Sequence, residues 1–97
     1  MNQSQVNQLI GQIGHMNLLA VCGGRRMIHN GALEMAVGGG YRVLVFLSSN
    51  DTYEVRRVFV RKGEYILKGT VSDVYNDQIA EVVWQASLWR DNKNWGN

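Results

Sequence analysis

The connections between the apolar runs of this chain are short and rich in glycine, and they constrain its fold more than any other feature. Asn30-Gly31, Gly38-Gly39-Gly40 and Lys62-Gly63 separate short apolar and β-branched segments. Asn-Gly favours a type I′ hairpin because both central residues of that turn need positive φ. The chain has eleven glycines and no proline, so its sharp turns must use Gly, Asn, Asp and Ser. Connections this short join antiparallel strands and leave no room for crossover helices.

Alternating apolar and polar side chains predict strands between these turns, all within residues 17–71. The pattern is clearest after Tyr41 and again after Tyr53, where the turn Ser48-Ser49-Asn50-Asp51 lies between two alternating runs. The first predicted strand is the apolar run that ends at Cys22. The predicted strands are 17–22, 25–29, 32–37, 41–47, 53–59 and 65–71.

Helical periodicity is confined to the two ends of the chain. Apolar residues from Val6 to Ile13 recur at helical spacing and predict a helix over 3–13, with Asn2 or Ser4 as its N-cap and Gly14 as its stop. A second apolar stripe predicts a helix over 73–89, capped by Ser72 or Asp73. This stripe consists of Tyr75, Ile79, Val82, Val83 and Ala86. The tail 90–97 has no periodicity, and we expect it to be loose.

Together these patterns predict an α+β fold in a single domain spanning 1–97, with an antiparallel β-meander flanked by an N-terminal and a C-terminal helix. The length of 97 residues and the content of 45% hydrophobic and 19% charged residues are those of one globular domain. The net charge of +2 is too small to indicate nucleic-acid binding by bulk electrostatics.

The cysteine and histidine content argues against metal and cofactor sites. Cys22 is the single cysteine, so neither an intramolecular disulfide nor a thiolate-rich metal site can form. His15 and His29 have no third ligand near them in sequence, whereas zinc needs three or four. We expect no metal, no cofactor, no signal peptide and no membrane span, and a cytoplasmic location.

The segments QIGHMNLLAVCGGR and NDTYEVRRVFVRKGEYILKGTVSDVYNDQIAEVVWQAS resemble an uncharacterised family of small proteins encoded by bacteriophages and mobile elements. The resembling features are Asp51-Thr52-Tyr53 at the start of a strand, and Asp73-Val74-Tyr75 followed by Asp77-Gln78 at the start of the last helix. The resemblance implies provenance, topology and a bacterial host cytoplasm, and it supplies no catalytic residue. A phage protein of this size often acts on a host factor, for example by blocking a defence nuclease.

The most suggestive polar cluster lies on two neighbouring strands of the predicted meander. A hairpin brings these cations to one end of the sheet, where they would pair with acidic side chains or phosphates. The alternative is a charged edge that discourages aggregation, with Glu54 and Glu64 neutralising much of it. The cluster consists of Arg56, Arg57, Arg61, Lys62 and Lys68.

Arg56 and Arg57 are adjacent on one strand, so their side chains must point to opposite faces. One of them then faces the core, where it must be paired, lie at the sheet margin or mark a β-bulge. We predict a bulge here.

Tryptophan is concentrated near the C-terminus, where the chain departs from the family pattern; the Arg56-Arg57 pair is a second departure. Trp84 is expected to cap the core. Trp89 and Trp95 are candidates for a partner or dimer contact, because exposed tryptophan is enriched at binding hot spots. Both departures are also compatible with sequence drift.

No set of nucleophile, base and orienting residue is apparent, so we predict a protein that is not an enzyme. Asp73 and Asp77 are explained as charges at a helix start, and the loop Gly38-Gly39-Gly40 lacks the following helix and lysine of a phosphate loop.

The predicted function is stoichiometric protein binding, with inhibition of a host or defence factor as its form. The alternatives are a nucleic-acid-binding accessory protein that uses the basic face of the sheet and a nucleotide-sequestering protein. We also expect a homodimer, because a single meander leaves sheet edges to be covered.

Overall fold

The computed structural model describes residues 2–23, 25–29, 31–48 and 50–88. The predicted loose tail 90–97 lies outside these residues, as do Trp89 and Trp95. None of the helices in these ranges is long and apolar enough to cross a membrane. The elements in chain order are α1 (Gln3–Ile13), α2 (His15–Cys22), β1 (Arg26–His29), β2 (Ala32–Gly38), β3 (Tyr41–Leu47), β4 (Tyr53–Arg61), β5 (Glu64–Val74) and α3 (Ile79–Leu88).

The five strands form one antiparallel sheet in the order β1-β2-β3-β4-β5, which confirms the predicted meander and the α+β class. Two-residue turns set the register of the β2–β3 and β4–β5 hairpins. Lys62 and Gly63 have φ of 53° and 80°, and Gly39 and Gly40 have φ of 63° and 84°. A type I′ turn has positive φ at both central residues, and its backbone twist then matches the twist of the flanking strands.

The first helix spans the predicted residues. The Asn2 side chain accepts a hydrogen bond from the Gln5 backbone, and the Gln5 side chain accepts one from the Asn2 backbone, which closes a capping box. Val6, Leu9 and Ile13 face the core. Gly14 ends the helix at φ 91°.

The strand predicted over 17–22 is wrong, because these residues belong to α2. Gly14 ends α1, and its carbonyl accepts the first backbone hydrogen bond of α2 from Leu18. Leu18, Val21 and Cys22 are buried at helical spacing, while Asn17 donates to the Ala80 carbonyl of α3 at 2.9 Å. A short continuous apolar run has no periodicity that would distinguish a strand from a buried helix. These residues form a helix because they pack against α1, α3 and β2.

The last helix begins at Ile79 rather than at residue 73. Asp73 lies in β5 with φ of 56°, and Val74 is buried and pairs with Tyr53. Burial of Val74 in the sheet therefore extends β5 through the residues predicted to cap the helix. Asp73 and Asp77 consequently do not share a helix face, and Asp77 lies in the turn before α3.

The three helices pack on one face of the sheet, and the main core lies between them. The other face carries a second cluster of Ala32, Leu44 and Val58, to which no residue of α1, α2 or α3 contributes. The main core contains Val6, Leu9, Ile13, Leu18, Val21, Cys22, Leu33, Met35, Val43, Val45, Tyr53, Val55, Val74, Ile79, Val83 and Ala86.

Candidate binding surface

The side of the sheet opposite the helices is the main candidate for function, and we call it the open face. Register places its side chains in rows across the strands: Met27, Glu34, Leu44, Arg56 and Thr70 form one row. Among the side chains that are exposed or half-buried on this face are Arg25, Met27, Arg42, Phe46, Glu54, Arg56, Val60, Tyr65, Leu67 and Thr70. The open face therefore mixes large apolar groups with arginines.

A buried carboxylate lies within this face. Glu34 is 1% exposed and forms an ion pair with Arg42. The Tyr65 hydroxyl lies 3.0 Å from Glu34 Oε1 and 3.2 Å from Oε2. Tyr65 belongs to β5 and Glu34 to β2, so this contact crosses β3 and β4 and shows that the sheet curls toward the open face. Burial, followed by the hydrogen bond to Glu34 and the charge of Glu34, raises the pKa of Tyr65, which Arg42 partly opposes.

Long polar side chains cover the apolar cluster beneath them. The Arg56 guanidinium lies 4.6 Å from the centre of the Phe46 ring and forms an ion pair with Glu54. Leu44 and Val58 are buried although no helix packs over them. Two of the arginines on the open face are thus paired with carboxylates, which reduces the net positive charge of the face.

The β5 edge of the sheet is long and apolar. Among the described strands β5 pairs with β4 alone. Tyr65, Ile66 and Leu67 follow one another on β5 and are 41%, 40% and 57% exposed. An edge strand offers backbone donors and acceptors to another chain, and here it offers apolar side chains on both faces as well.

A cleft of about 280 Å³ opens at the β1 end of the open face. Ala36 lies between Arg25 and Arg42: its amide donates to the Arg25 carbonyl at 3.4 Å, and it pairs with Arg42 across β2 and β3. Arg26, Met27 and Glu34 complete the lining. Arg25 and Arg26 fall in the predicted strand 25–29, but nothing in the sequence indicated this cleft, because its geometry depends on the register of three strands.

Arg57 lies inside the protein rather than on a contact surface. It is 3% exposed, donates to the Ala86 carbonyl at the end of α3 and stacks over the Tyr41 ring at 4.2 Å. The bulge predicted at Arg56-Arg57 is wrong, because β4 pairs regularly with β3 there. The β4–β5 register shift beside Arg57 comes from Lys68, an extra residue on β5. Arg57 was predicted to contact a partner. Its contacts instead join α3 to the sheet.

The remaining predicted cations do not form one cluster. Arg56 is on the open face, Arg61 and Lys62 are exposed at the β4–β5 turn, and Lys68 is half-buried at the bulge. Strand alternation places Arg61 on the opposite face from Arg56.

A second apolar surface lies on α3, where Trp84 and Leu88 are one turn apart and are 37% and 60% exposed. Trp84 was predicted to cap the core and is instead partly exposed. Trp89 and Trp95, which were predicted to contact a partner, lie outside the described residues.

A polar cleft of about 330 Å³ separates α1 from the β3–β4 turn. It is lined by Gln5, Gln8, Gln12, Leu47, Asp51, Tyr53 and Asn76. The Tyr53 hydroxyl donates to Gln12 Oε1 at 2.7 Å, and burial followed by the charge of Asp51 raises the pKa of Tyr53. Amides, the Tyr53 phenol and the Asp51 carboxylate provide hydrogen-bonding groups here.

The reactive residue types are dispersed in the part of the chain that the structure describes. Cys22 is buried, and its thiol lies 3.3 Å from the Leu18 carbonyl. No group of three or more His, Cys, Asp or Glu in this part is arranged to hold a metal ion. The glycine loop 38–40 forms a hairpin turn followed by a strand, whereas a phosphate loop opens a helix. No family model, curated protein or solved structure matches this chain.

Proposed function

We propose that this protein acts by binding a protein partner through the open face and the β5 edge. The observation that carries the proposal is the set of three consecutive exposed apolar residues, Tyr65, Ile66 and Leu67, on the outer edge of an eleven-residue strand. Exposed apolar surface of this kind marks interaction sites. An extended segment of a partner can add to such an edge as a further strand, with main-chain hydrogen bonds for affinity and side-chain contacts for specificity.

The composition of the open face favours a protein partner over nucleic acid. Tyrosine, methionine and arginine are enriched in protein interfaces, and Tyr65, Met27 and Arg56 are of these types. Nucleic-acid binding depends on cations that neutralise phosphates, but Arg42 and Arg56 are paired with carboxylates. The nucleic-acid alternative therefore has less support from this face.

The resemblance to phage and mobile-element proteins supports a more specific form of the proposal. In that form the partner is a host factor in the bacterial cytoplasm, and stoichiometric binding blocks its activity. A second copy of this chain is the alternative occupant of the β5 edge, since edge-to-edge pairing of two β5 strands would also cover it.

The test is affinity capture from the native host with two matched variants. Leu67→Lys places a charge on the apolar edge, and Gln8→Lys places the same charge on the exposed surface of α1. The proposal expects a protein that the wild type and Gln8→Lys both capture and that Leu67→Lys loses. Capture that is unaffected by Leu67→Lys, or lost equally with both variants, would contradict it. Recovery of nucleic acid in place of protein would also contradict it.

A further inference from the structure

The cleft beside Ala36 has the dimensions and charge of a binding slot for a single anionic group. Ala36 of β2 lies between Arg42 of β3 and Arg25, the residue directly before β1. Adjacent strands are about 4.8 Å apart, so the two arginine backbones are separated by about 10 Å. A side chain on Ala36 larger than a methyl group would fill the space between the two arginines.

The charges lining the cleft favour an anion. Three arginines and one glutamate line it, and the glutamate is already bound by Arg42 and Tyr65. A guanidinium carries five N–H donors in a planar fork that matches a carboxylate, and the ion pair with Glu34 leaves Arg42 further donors. Arg25 thus adds a positive charge to the cleft beyond the internal Arg42–Glu34 pair.

Arg25 is held in place by the fold. Its Nε donates to the carbonyl of Cys22, the last residue of α2, at 3.4 Å. Its own carbonyl accepts from Ala36. These contacts reduce the entropy that the side chain loses when it binds a ligand.

One observation favours a carboxylate over a phosphate. The walls include the Met27 side chain and the Ala36 methyl group, which suit the methylene stem of an acidic side chain.

We propose that this cleft binds an acidic side chain of a protein segment, held between Arg25 and Arg42. The inference rests on the proposed function, because it assigns the chemistry of the partner that meets the open face. The partner is expected to present a Glu or Asp where it reaches the β1 end of that face.

The test uses the ¹⁵N-labelled full chain and a capped tetraglutamate peptide, with capped tetraglutamine and inorganic phosphate as comparison ligands. Tetraglutamate is expected to shift the amide signals of Met27, Ala36 and Arg42 saturably, and tetraglutamine is not. Phosphate is expected to bind more weakly than tetraglutamate. Tighter binding of phosphate, or shifts that do not saturate, would overturn the proposal.

Three variants distinguish binding at this cleft from non-specific electrostatic attraction between the peptide and the protein. Arg25→Gln is expected to weaken tetraglutamate binding about tenfold through loss of a charge-assisted hydrogen bond. Ala36→Leu fills the cleft with no change of charge and is expected to abolish the localised shifts. Arg61→Gln removes an equal charge from the exposed β4–β5 turn and is expected to change affinity less than about twofold, because screening weakens distant charges. Equal effects of the two arginine variants, or retained binding by a folded Ala36→Leu, would refute the site.

The tetraglutamate-binding test and the affinity-capture test can fail independently of each other. If tetraglutamate does not bind but Leu67→Lys still loses the captured partner, protein binding through the β5 edge stands and the acidic-ligand inference falls. If tetraglutamate binds as expected but capture is independent of Leu67, the cleft stands and the proposed partner surface falls.

Discussion

Arg56 and Arg57 are neighbours in the sequence, yet the structure gives them different roles. Arg56 is 43% exposed, lies over Phe46 and pairs with Glu54. Arg57 is buried between the Tyr41 ring and the end of α3. Strand alternation predicts that the two point to opposite faces, whereas the bulge predicted on their own strand lies on β5 instead. The identity of the buried partner, a backbone carbonyl of α3, depends on how that helix packs and has no local signal.

The difference between these arginines predicts a difference in stability. Arg57→Ala removes a buried donor and its stacking contact and is expected to lower the free energy of unfolding by about 2–3 kcal/mol. Arg56→Ala removes an exposed ion pair and is expected to cost less than about 1 kcal/mol. Urea unfolding of both variants measures the difference. Equal losses would contradict the structural role of Arg57.

The raised pKa of Tyr65 predicts that the free energy of unfolding falls at alkaline pH. Its pKa is raised in the folded protein, so the folded state holds the phenolic proton more tightly than the unfolded chain does. The resulting stabilisation is present below the usual tyrosine pKa of 10.0 and is lost as the pH rises through the raised value. Tyr65→Phe is expected to cost about 1 kcal/mol at neutral pH and to reduce the loss of stability above pH 10.0. Unfolding curves from neutral to alkaline pH measure both effects, and identical pH dependence in the two proteins would exclude this role.

At the scale of elements, α1 and the strands between the glycine-rich turns were predicted best, because helical periodicity, turn chemistry and alternation specify them. The hairpins at Gly39-Gly40 and Lys62-Gly63 show positive φ at both turn residues. The errors lie where tertiary packing overrides a local signal. The apolar run before Gly23 is a helix because it is buried among α1, α3 and β2, and β5 continues past Asp73 because Val74 is buried against the core.

The β2–β3 hairpin provides a test of how its turn is packed. Gly39 and Gly40 both have positive φ, so alanine at either position is strained. A Cβ on Gly40 would also lie 2.9 Å from the Phe59 ring, whereas the nearest atom to one on Gly39 is 3.8 Å away. Gly40→Ala is therefore expected to destabilise the protein by about 1 kcal/mol more than Gly39→Ala. Thermal unfolding compares them, and equal losses would show that Phe59 moves aside without cost.

At the scale of the whole molecule, the fold covers one face of the sheet and leaves the other to long side chains. The α+β class and the antiparallel meander follow from the sequence, whereas the Arg25–Arg42 cleft arises only when three strands take their register. Of the predicted contact residues, Arg56 is on the open face, while Arg61, Lys62 and Lys68 lie around the β4–β5 turn and bulge. The exposed Trp84 and Leu88 on α3 form the competing surface.

A photo-crosslinking amino acid placed at single positions in the native host distinguishes the two surfaces most directly. Substitution at Leu67 samples the β5 edge, substitution at Leu88 samples the α3 surface, and substitution at Gln8 serves as the control on α1. A partner that adds to β5 gives a discrete heteromeric adduct from Leu67 and none from Gln8. Adducts that form from Leu88 and not from Leu67 would contradict binding of a different protein at the open sheet. Adducts from Leu67 that contain only a second copy of this chain would contradict it as well.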